Sequence, residues 1–371
     1  MPPIHGRLTG GSLYNNRVLA YIEKHATVET YIDSTLDDAL RWPGGIWLAD
    51  SLCLDSCSRL LRQRGDSAGV LIAHYLKLLD PRHARSPQAH TELAALRAVN
   101  AVITTSEFSR RALLAAGYAG EVHAIPPGLD ESYRSPLPLR PSRAARILTV
   151  ATLLPDKGLT DLLSVLEDLR ELEWSWDIVG ETALDVDFAR ELDQRIRKSP
   201  IADRVRIRGA LAPDMVLAAY DESDIFALPS YFETCSMATM EAMARALPVV
   251  AFSVGGLPDL FPEETRTLLP ERGDLDAFSA ALRVLIEDPV ARRTFGDANR
   301  KAGPQRACGR PQDNQASSPR APLRRELPRS LSFPSWEETG AAVLSVLTRL
   351  SPNPARPTAP DLAPSGNDES R

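Results

Sequence analysis

The sequence predicts an α/β protein made of two doubly wound domains facing each other across a cleft. Three observations carry that expectation. Strand-like apolar runs alternate with helix-like ones almost throughout, which favours βαβ units and parallel sheets. The alternation breaks once, at the Pro-rich, aperiodic stretch RSPLPLRPSR (residues 134–143), and then restarts, so this stretch reads as an interdomain linker. A chain of 371 residues also exceeds one ordinary core.

In the first half the strands read as TVETYI, GIWLAD, GVLIAHY, AVITTS and VHAIPP. Helical candidates lie between them, among them SLYNNRVLAYIEKH and SEFSRRALLAAG; Ser106 or Ser109 can cap the latter, and Gly117 ends it. The opening MPPIHGRL is too polar and Pro-rich for a good central strand. In the second half the strands read as ILTVAT, WSWDIVG, VRIRG, DIFALPS, PVVAFSV and TRTLLP, with GLTDLLSVLEDLREL and SMATMEAMARAL among the helices. Residues 301–330 hold five Pro and six Arg with almost no large apolar residue, a composition expected to be disordered and basic. A helix over SWEETGAAVLSVLTRL follows, with Ser335 and Glu338 spaced as a capping box, and the tail from Ser351 is Pro-rich and polar.

Composition removes several function classes. Net charge is −6, which leaves no overall footprint for nucleic acid. No apolar run approaches the roughly 20 residues that span a bilayer, and no signal peptide is read at the start. Four cysteines in so long a chain do not make a disulfide framework, and Cys53 and Cys57 have no matching second pair for zinc. A reduced cytoplasmic protein is the plain expectation.

The chemistry concentrates in PSYFETCSMATMEAMARALPVVAF (residues 229–252). A strand ending at PSYFE must turn sharply into a helix that begins near Ser236, and free N–H groups at such a start favour a phosphate. Small side chains at Thr234, Cys235 and Ser236 let that group approach. Glu233 and Glu241 flank the turn, and two carboxylates would repel a phosphate unless they bind something uncharged attached to it. Sugar hydroxyls meet that demand, which points to a nucleotide sugar with one sugar on each side of a diphosphate. Lys157 and Gly158, after another strand and at another helix start, offer the missing cation. Alone, a Lys-Gly pair is commonly an ordinary turn, and two glutamates eight apart are commonly solvated surface. Their placement on βα units of one domain is what gives them meaning together.

Those residues resemble glycosyltransferase family 4, the retaining group 1 type with the GT-B fold. The pattern is a Lys-Gly turn followed by PS-x2-E-x7-E-A, here Lys157-Gly158 and Pro229-Ser230-Tyr231-Phe232-Glu233 to Glu241-Ala242. The likeness covers most of residues 148–288 and extends more weakly through TGGSLYNNR, AHYLKL, TTSEF and IPPGLD, while SFPSWEE resembles the family's closing helix.

The resemblance implies a domain plan and a set of roles. Residues 1–135 would form a Rossmann-like acceptor-side domain with an incomplete first strand, and residues 144–299 a Rossmann-like nucleotide-sugar domain. A disordered basic segment over 300–332, a closing helix over 333–350 and a disordered tail over 351–371 would follow. Lys157 would hold the donor diphosphate, Glu241 the ribose and Glu233 the transferred sugar, with backbone at Cys235, Ser236 and Met237 near the phosphates. Gly10 and Gly11 would face the donor phosphate, and His74 would contact the transferred sugar. The catalytic set is therefore His74, Glu233 and Lys157, with Thr234 lining the donor site. The implied activity moves a hexose from a nucleotide-diphosphate sugar to a hydroxyl acceptor of unidentified kind, with retention. No cofactor or metal is expected, because no Asp-x-Asp pair stands at a strand end. Peripheral contact with the inner membrane face is compatible with this reading, as is an unselected insert at 301–330; oligomeric state is left open.

Two departures from the family support a different class, a catalytically degenerate sugar-nucleotide-binding protein. The family often has Arg five positions before the lysine, where this chain has Thr152, and the first strand is reduced. Two further readings are weaker. A glycosidase would pair Glu233 with Glu241 across a scissile bond, but it has no use for a Lys-Gly diphosphate turn. Cys235 at a helix start could be a nucleophile, but no candidate base lies near it in the sequence.

Overall fold

The computed structural model describes residues 9–31, 45–63, 67–134, 144–301 and 333–350. Two parallel sheets organise them. The first contains β1 (Ile46–Asp50), β2 (Ala68–Ala73), β3 (Ala101–Thr104) and β4 (Glu121–Ala124), side by side in that order. Its side chains divide by the period of two that any strand imposes. Val70, Ile72, Ala101 and Ile103 face a core shared with α1 (Gly10–Ile22) and the late helix α12 (Trp336–Leu350). Leu71, Ala73 and Val102 face the opposite core, built with α2 (Leu54–Gln63), α3 (Pro87–Leu96) and α4 (Glu107–Ala115). Helices on both faces make the sheet doubly wound.

The second sheet contains β5 (Ala145–Val150), β6 (Trp174–Val179), β7 (Val205–Gly209), β8 (Ile225–Leu228) and β9 (Val249–Ala251), in the order β7-β6-β5-β8-β9. The chain builds outward from β5 to β7 and returns to place β8 on β5's other side. That reversal opens a crevice at the carboxyl ends of β5 and β8, where ligands bind in such sheets. Trp176 crosses the middle of this sheet fully buried. Its indole N–H donates to Thr149 Oγ1 at 3.0 Å, and that hydroxyl donates to the Ala227 carbonyl at 2.7 Å, so β6, β5 and β8 are tied by satisfied polar groups.

Helix α12 returns from the end of the described chain to the first sheet. Leu129 N–H donates to the Pro334 carbonyl at 2.8 Å, Trp336 stands edge-on to Tyr14, and Glu338 and Ser335 form the expected capping box. Ser106, not Ser109, caps α4, because its hydroxyl accepts from the Ser109 N–H at 3.1 Å.

Two strand expectations fail. TVETYI is extended over its described residues 27–31 but belongs to neither sheet of the described residues. TRTLLP falls largely in a 3-10 segment, Glu263–Leu268, whose Thr265 hydroxyl and N–H both donate to the Pro262 carbonyl. The first-strand, linker and basic-segment expectations concern residues 1–8, 135–143 and 302–332, outside the described residues; Lys301 itself ends α11 (Pro289–Lys301).

Candidate active site

After β5 the chain makes one 3-10 turn, Pro155–Lys157, and Gly158 takes φ +65° to cap α6 (Leu159–Asp168). A Cβ at Gly158 would stand 2.1 Å from the Pro229 carbonyl oxygen, so the two turns meet backbone to backbone. Tyr231 N–H donates to the Asp156 carbonyl at 2.8 Å and fixes their register. The result is an ion pair: Lys157 Nζ lies 2.6 Å from Glu233 Oε1, with Glu233 buried and Lys157 half-buried. Behind them, Gly255 at φ +54° lets the next turn approach Glu233, whose carbonyl oxygen a Cβ would meet at 1.8 Å.

The helix after this turn is α9 (Met237–Ala244), capped by Ser236, whose hydroxyl accepts from the Thr239 N–H at 3.3 Å. Among the described residues nothing accepts from the Met237 and Ala238 N–H groups, so they remain open to an anion. Helix α1 presents its start to the same place. Thr9 and Ser12 form a capping box there, and a Cβ at Gly10 would be 3.5 Å from Met237 Sδ. Two helix N-termini and one ammonium therefore converge at the switch point.

Glu241 sits apart from that convergence, half-buried on the second turn of α9. Its Oε2 accepts from the Tyr220 hydroxyl at 2.9 Å. Burial pushes its carboxyl up to about 7, helped by the charge of Asp130 and opposed by the Tyr220 hydrogen bond. The surroundings of Cys235 do not activate its thiol. Burial, then the Glu233 charge, push its thiol up to about 12, and its Sγ packs 3.7 Å from Met240 Sδ.

His74 follows β2. Its backbone carbonyl accepts from the Thr234 hydroxyl at 2.8 Å, which joins the first domain to the turn before α9. Its ring lies edge-on to Tyr14 and against Gly11, where a Cβ would stand 3.2 Å from Cγ and Cδ2. Burial holds its pKa below the ordinary value of 6.5, with the Asp50 charge acting in the opposite direction. Further bridges cross between the two halves. Arg82 reaches Asp156 through two bonds of 3.0 Å, and Arg111 reaches Asp259 at 3.0 Å.

The fold thus brings His74, Gly10, Gly11, Lys157, Glu233, Thr234, Cys235, Ser236 and Met237 together, while Glu241 stands apart beside Tyr220. Sequence reasoning missed Asn15, Asp50 and Gly255. The Gly255-Gly256 pair directly after a predicted strand was a readable signal of close backbone approach. Asn15 and Asp50 carried none, since they lie 35 residues apart. The Asp-x-Asp sequences at Asp185 and Asp274 are helix N-caps, bonded to the N–H groups of Phe188 and Ala277. Among the described residues no group of three His, Cys, Asp or Glu side chains is placed to hold a metal ion, and no helix is long and apolar enough to cross a membrane.

Comparison with known proteins gives three kinds of match. Residues 144–288 match the family model described as glycosyl transferases group 1. The chain is 32% identical over 158 residues to a sulfoquinovosyl transferase of Arabidopsis thaliana, covering 42% of this chain and 29% of that protein. It is 28% identical over 233 residues to a D-inositol 3-phosphate glycosyltransferase of Kineococcus radiotolerans, covering 55% of this chain and 53% of that one. The chain thus spans about half or less of the length of these curated relatives. Among solved structures, Anabaena HepE in complex with UDP and glucose superposes with a TM-score of 0.65 at 19% identity, over 79% of this chain and 91% of that chain. At that identity the likeness shows the fold, which is GT-B.

Proposed function

We propose that the chain is a retaining glycosyltransferase that moves a hexose from a nucleoside-diphosphate sugar to a hydroxyl acceptor without a metal ion, a reading supported by the match of residues 144–288 to the group 1 glycosyl transferases. The observation that carries this reading is the convergence of Lys157 with the starts of α1 and α9 at the switch point, with Glu233 beside it and Glu241 on the second turn of α9. One ammonium and two helix N-termini suit a diphosphate, and carboxylates on either side suit the hydroxyls of the two sugars it joins. The complex of HepE with UDP and glucose supports the same donor class here.

In this reading Glu241 accepts hydrogen bonds from ribose hydroxyls, and Glu233 does the same for the transferred hexose. Lys157 and the open N–H groups of α9 stabilise the charge that develops on the departing diphosphate, where preorganised donors lower the barrier most. The bond from the anomeric carbon to the phosphate oxygen breaks while the acceptor oxygen bonds to that carbon from the same face. The acceptor proton passes to the departing phosphate oxygen, and configuration is kept without a glycosyl–enzyme intermediate.

The test incubates the protein with a panel of nucleotide sugars and hydroxyl acceptors, reads the product anomer by NMR and searches for an adduct by mass spectrometry. A retained product without adduct is expected. An inverted product, or a stable adduct on Glu233, overturns the mechanism; nucleotide-sugar binding without turnover across the panel points to the degenerate binder.

A further inference from the structure

Asn15, Asp50 and His74 form a hydrogen-bonded chain at the carboxyl ends of β1 and β2, from α1 and the two strands. Asn15 and Asp50 are each 3% exposed. Asp50 Oδ1 is committed to the Leu52 N–H at 2.7 Å, which starts the next helical turn, so Oδ2 is the oxygen left for Asn15. Asn15 Nδ2 donates to that oxygen at 2.5 Å. A carboxylate accepts and cannot donate, so the amide is oriented with its own Oδ1 turned toward His74. His74 Nε2 lies 2.8 Å from that Oδ1 and 3.6 Å from Asp50 Oδ2. Because Oδ1 only accepts, Nε2 must carry the proton. Among the described residues nothing hydrogen-bonds Nδ1.

We propose that Asp50 and Asn15 are positioning residues that lock His74 in its Nε2–H tautomer, leaving the Nδ1 lone pair to accept a hydrogen bond from a hydroxyl of the transferred sugar. The part concerning the sugar rests on the glycosyltransferase reading; the tautomer does not. Imidazole nitrogens are distinguished by what the other one bonds, and here that partner is imposed from two residues away.

The chain has a readable failure mode. In Asp50→Asn, the new carboxamide must keep its oxygen on the Leu52 N–H, so its NH2 faces Asn15. Two NH2 groups cannot bond each other, and the Asn15 amide turns over. Its nitrogen then donates to His74 Nε2, which must accept, and the ring proton moves to Nδ1.

The experiment labels histidine with 15N and records long-range proton–nitrogen correlations, with the His74 signals assigned by their loss in His74→Asn. Wild type is expected to show Nε2 protonated and Nδ1 unprotonated, and Asp50→Asn the reverse. Nδ1–H in the wild type, or a folded Asp50→Asn that keeps the wild-type tautomer, overturns the proposal. Should Asp50→Asn not fold, the wild-type spectrum alone decides, because neither arm needs catalysis. With an active donor, Asp50→Asn should lower kcat about tenfold, the loss of one hydrogen bond, while affinity for that donor's nucleoside diphosphate without the sugar stays unchanged. An equal loss of nucleoside-diphosphate affinity would assign the pair a merely structural role and refute the positioning one.

Discussion

Lys157 Nζ lies 2.6 Å from Glu233 Oε1, although 76 residues separate the two in sequence. The contact exists because the turns after β5 and β8 pack backbone on backbone at Gly158 and Pro229. In the donor-free chain each charge neutralises the other. In the proposed reaction the same ammonium would span from Glu233 to the diphosphate and so link the end of the nucleotide to the transferred sugar.

The two glutamates should fail differently. On the proposed assignment Glu241→Ala removes a contact made equally in ground and transition states, so KM for the donor should rise more than kcat falls. On the same assignment Glu233→Ala removes a group beside the reacting carbon and should mainly lower kcat, as should Lys157→Ala. Steady-state kinetics of the three variants checks this, and the reverse pattern for the two glutamates would refute the assignment.

Glu241 also makes stability depend on pH. Its carboxyl is raised from 4.5 to about 7 in the fold, so between those values the folded state holds a proton that the unfolded state has lost. Stability therefore falls as pH rises through that window, by at most about 1.4 kcal/mol per pH unit. Glu241→Gln keeps the hydrogen-bonding shape without the charge, so it should match wild type near pH 4 and exceed it above pH 7. Urea titrations at several pH values read the difference, which should be absent if the carboxyl titrates normally.

The bridges Arg82–Asp156 and Arg111–Asp259 cross the cleft, and both involve half-buried or exposed partners. The double variant Asp156→Asn/Asp259→Asn should cost no more than about 1 kcal/mol per bridge in stability, yet favour an open cleft. Small-angle scattering should show a larger radius of gyration than wild type, closing again on donor binding. An unchanged radius would mean that the apolar contacts of Phe232 with the first domain suffice.

Gly158→Ala and Gly255→Ala each place a methyl within 2.1 Å of a carbonyl oxygen, at φ +65° and +54°. Left-handed backbone strain alone costs about 1–2 kcal/mol, and displacement of the Glu233 turn adds to it. Both variants should melt earlier than wild type and lose kcat. A variant that keeps full kcat would show that Glu233 tolerates displacement.

Donor binding and turnover should survive a chelator, because on the proposed reading Lys157 and the starts of α1 and α9 supply the positive charge a diphosphate needs. Isothermal titration with and without the chelator reads this, and abolished binding would place a required cation in the site.

Much of the site was legible because its parts are local. A strand followed by Lys157-Gly158, or by Glu233 and a Ser-capped helix, writes its geometry within a dozen residues, since turn chemistry and capping act over that range. The alternation of β5 to β9 was legible for the same reason, as was the Ser335–Glu338 capping box. TVETYI and TRTLLP misled because β-propensity only says that a segment suits a pleated surface, and whether a neighbouring strand is present is a tertiary matter.

What the sequence by itself determined was the α/β class, the helix starts and the residues that bear charge near them. Only the tertiary structure decided that Lys157 would pair with Glu233, that Glu241 would be raised toward 7 beside Tyr220, and that Asn15 and Asp50 would converge on His74. The reason is physical: caps and turns depend on neighbours along the chain, whereas a carboxyl's charge or an imidazole's tautomer depends on groups that burial brings together from distant positions.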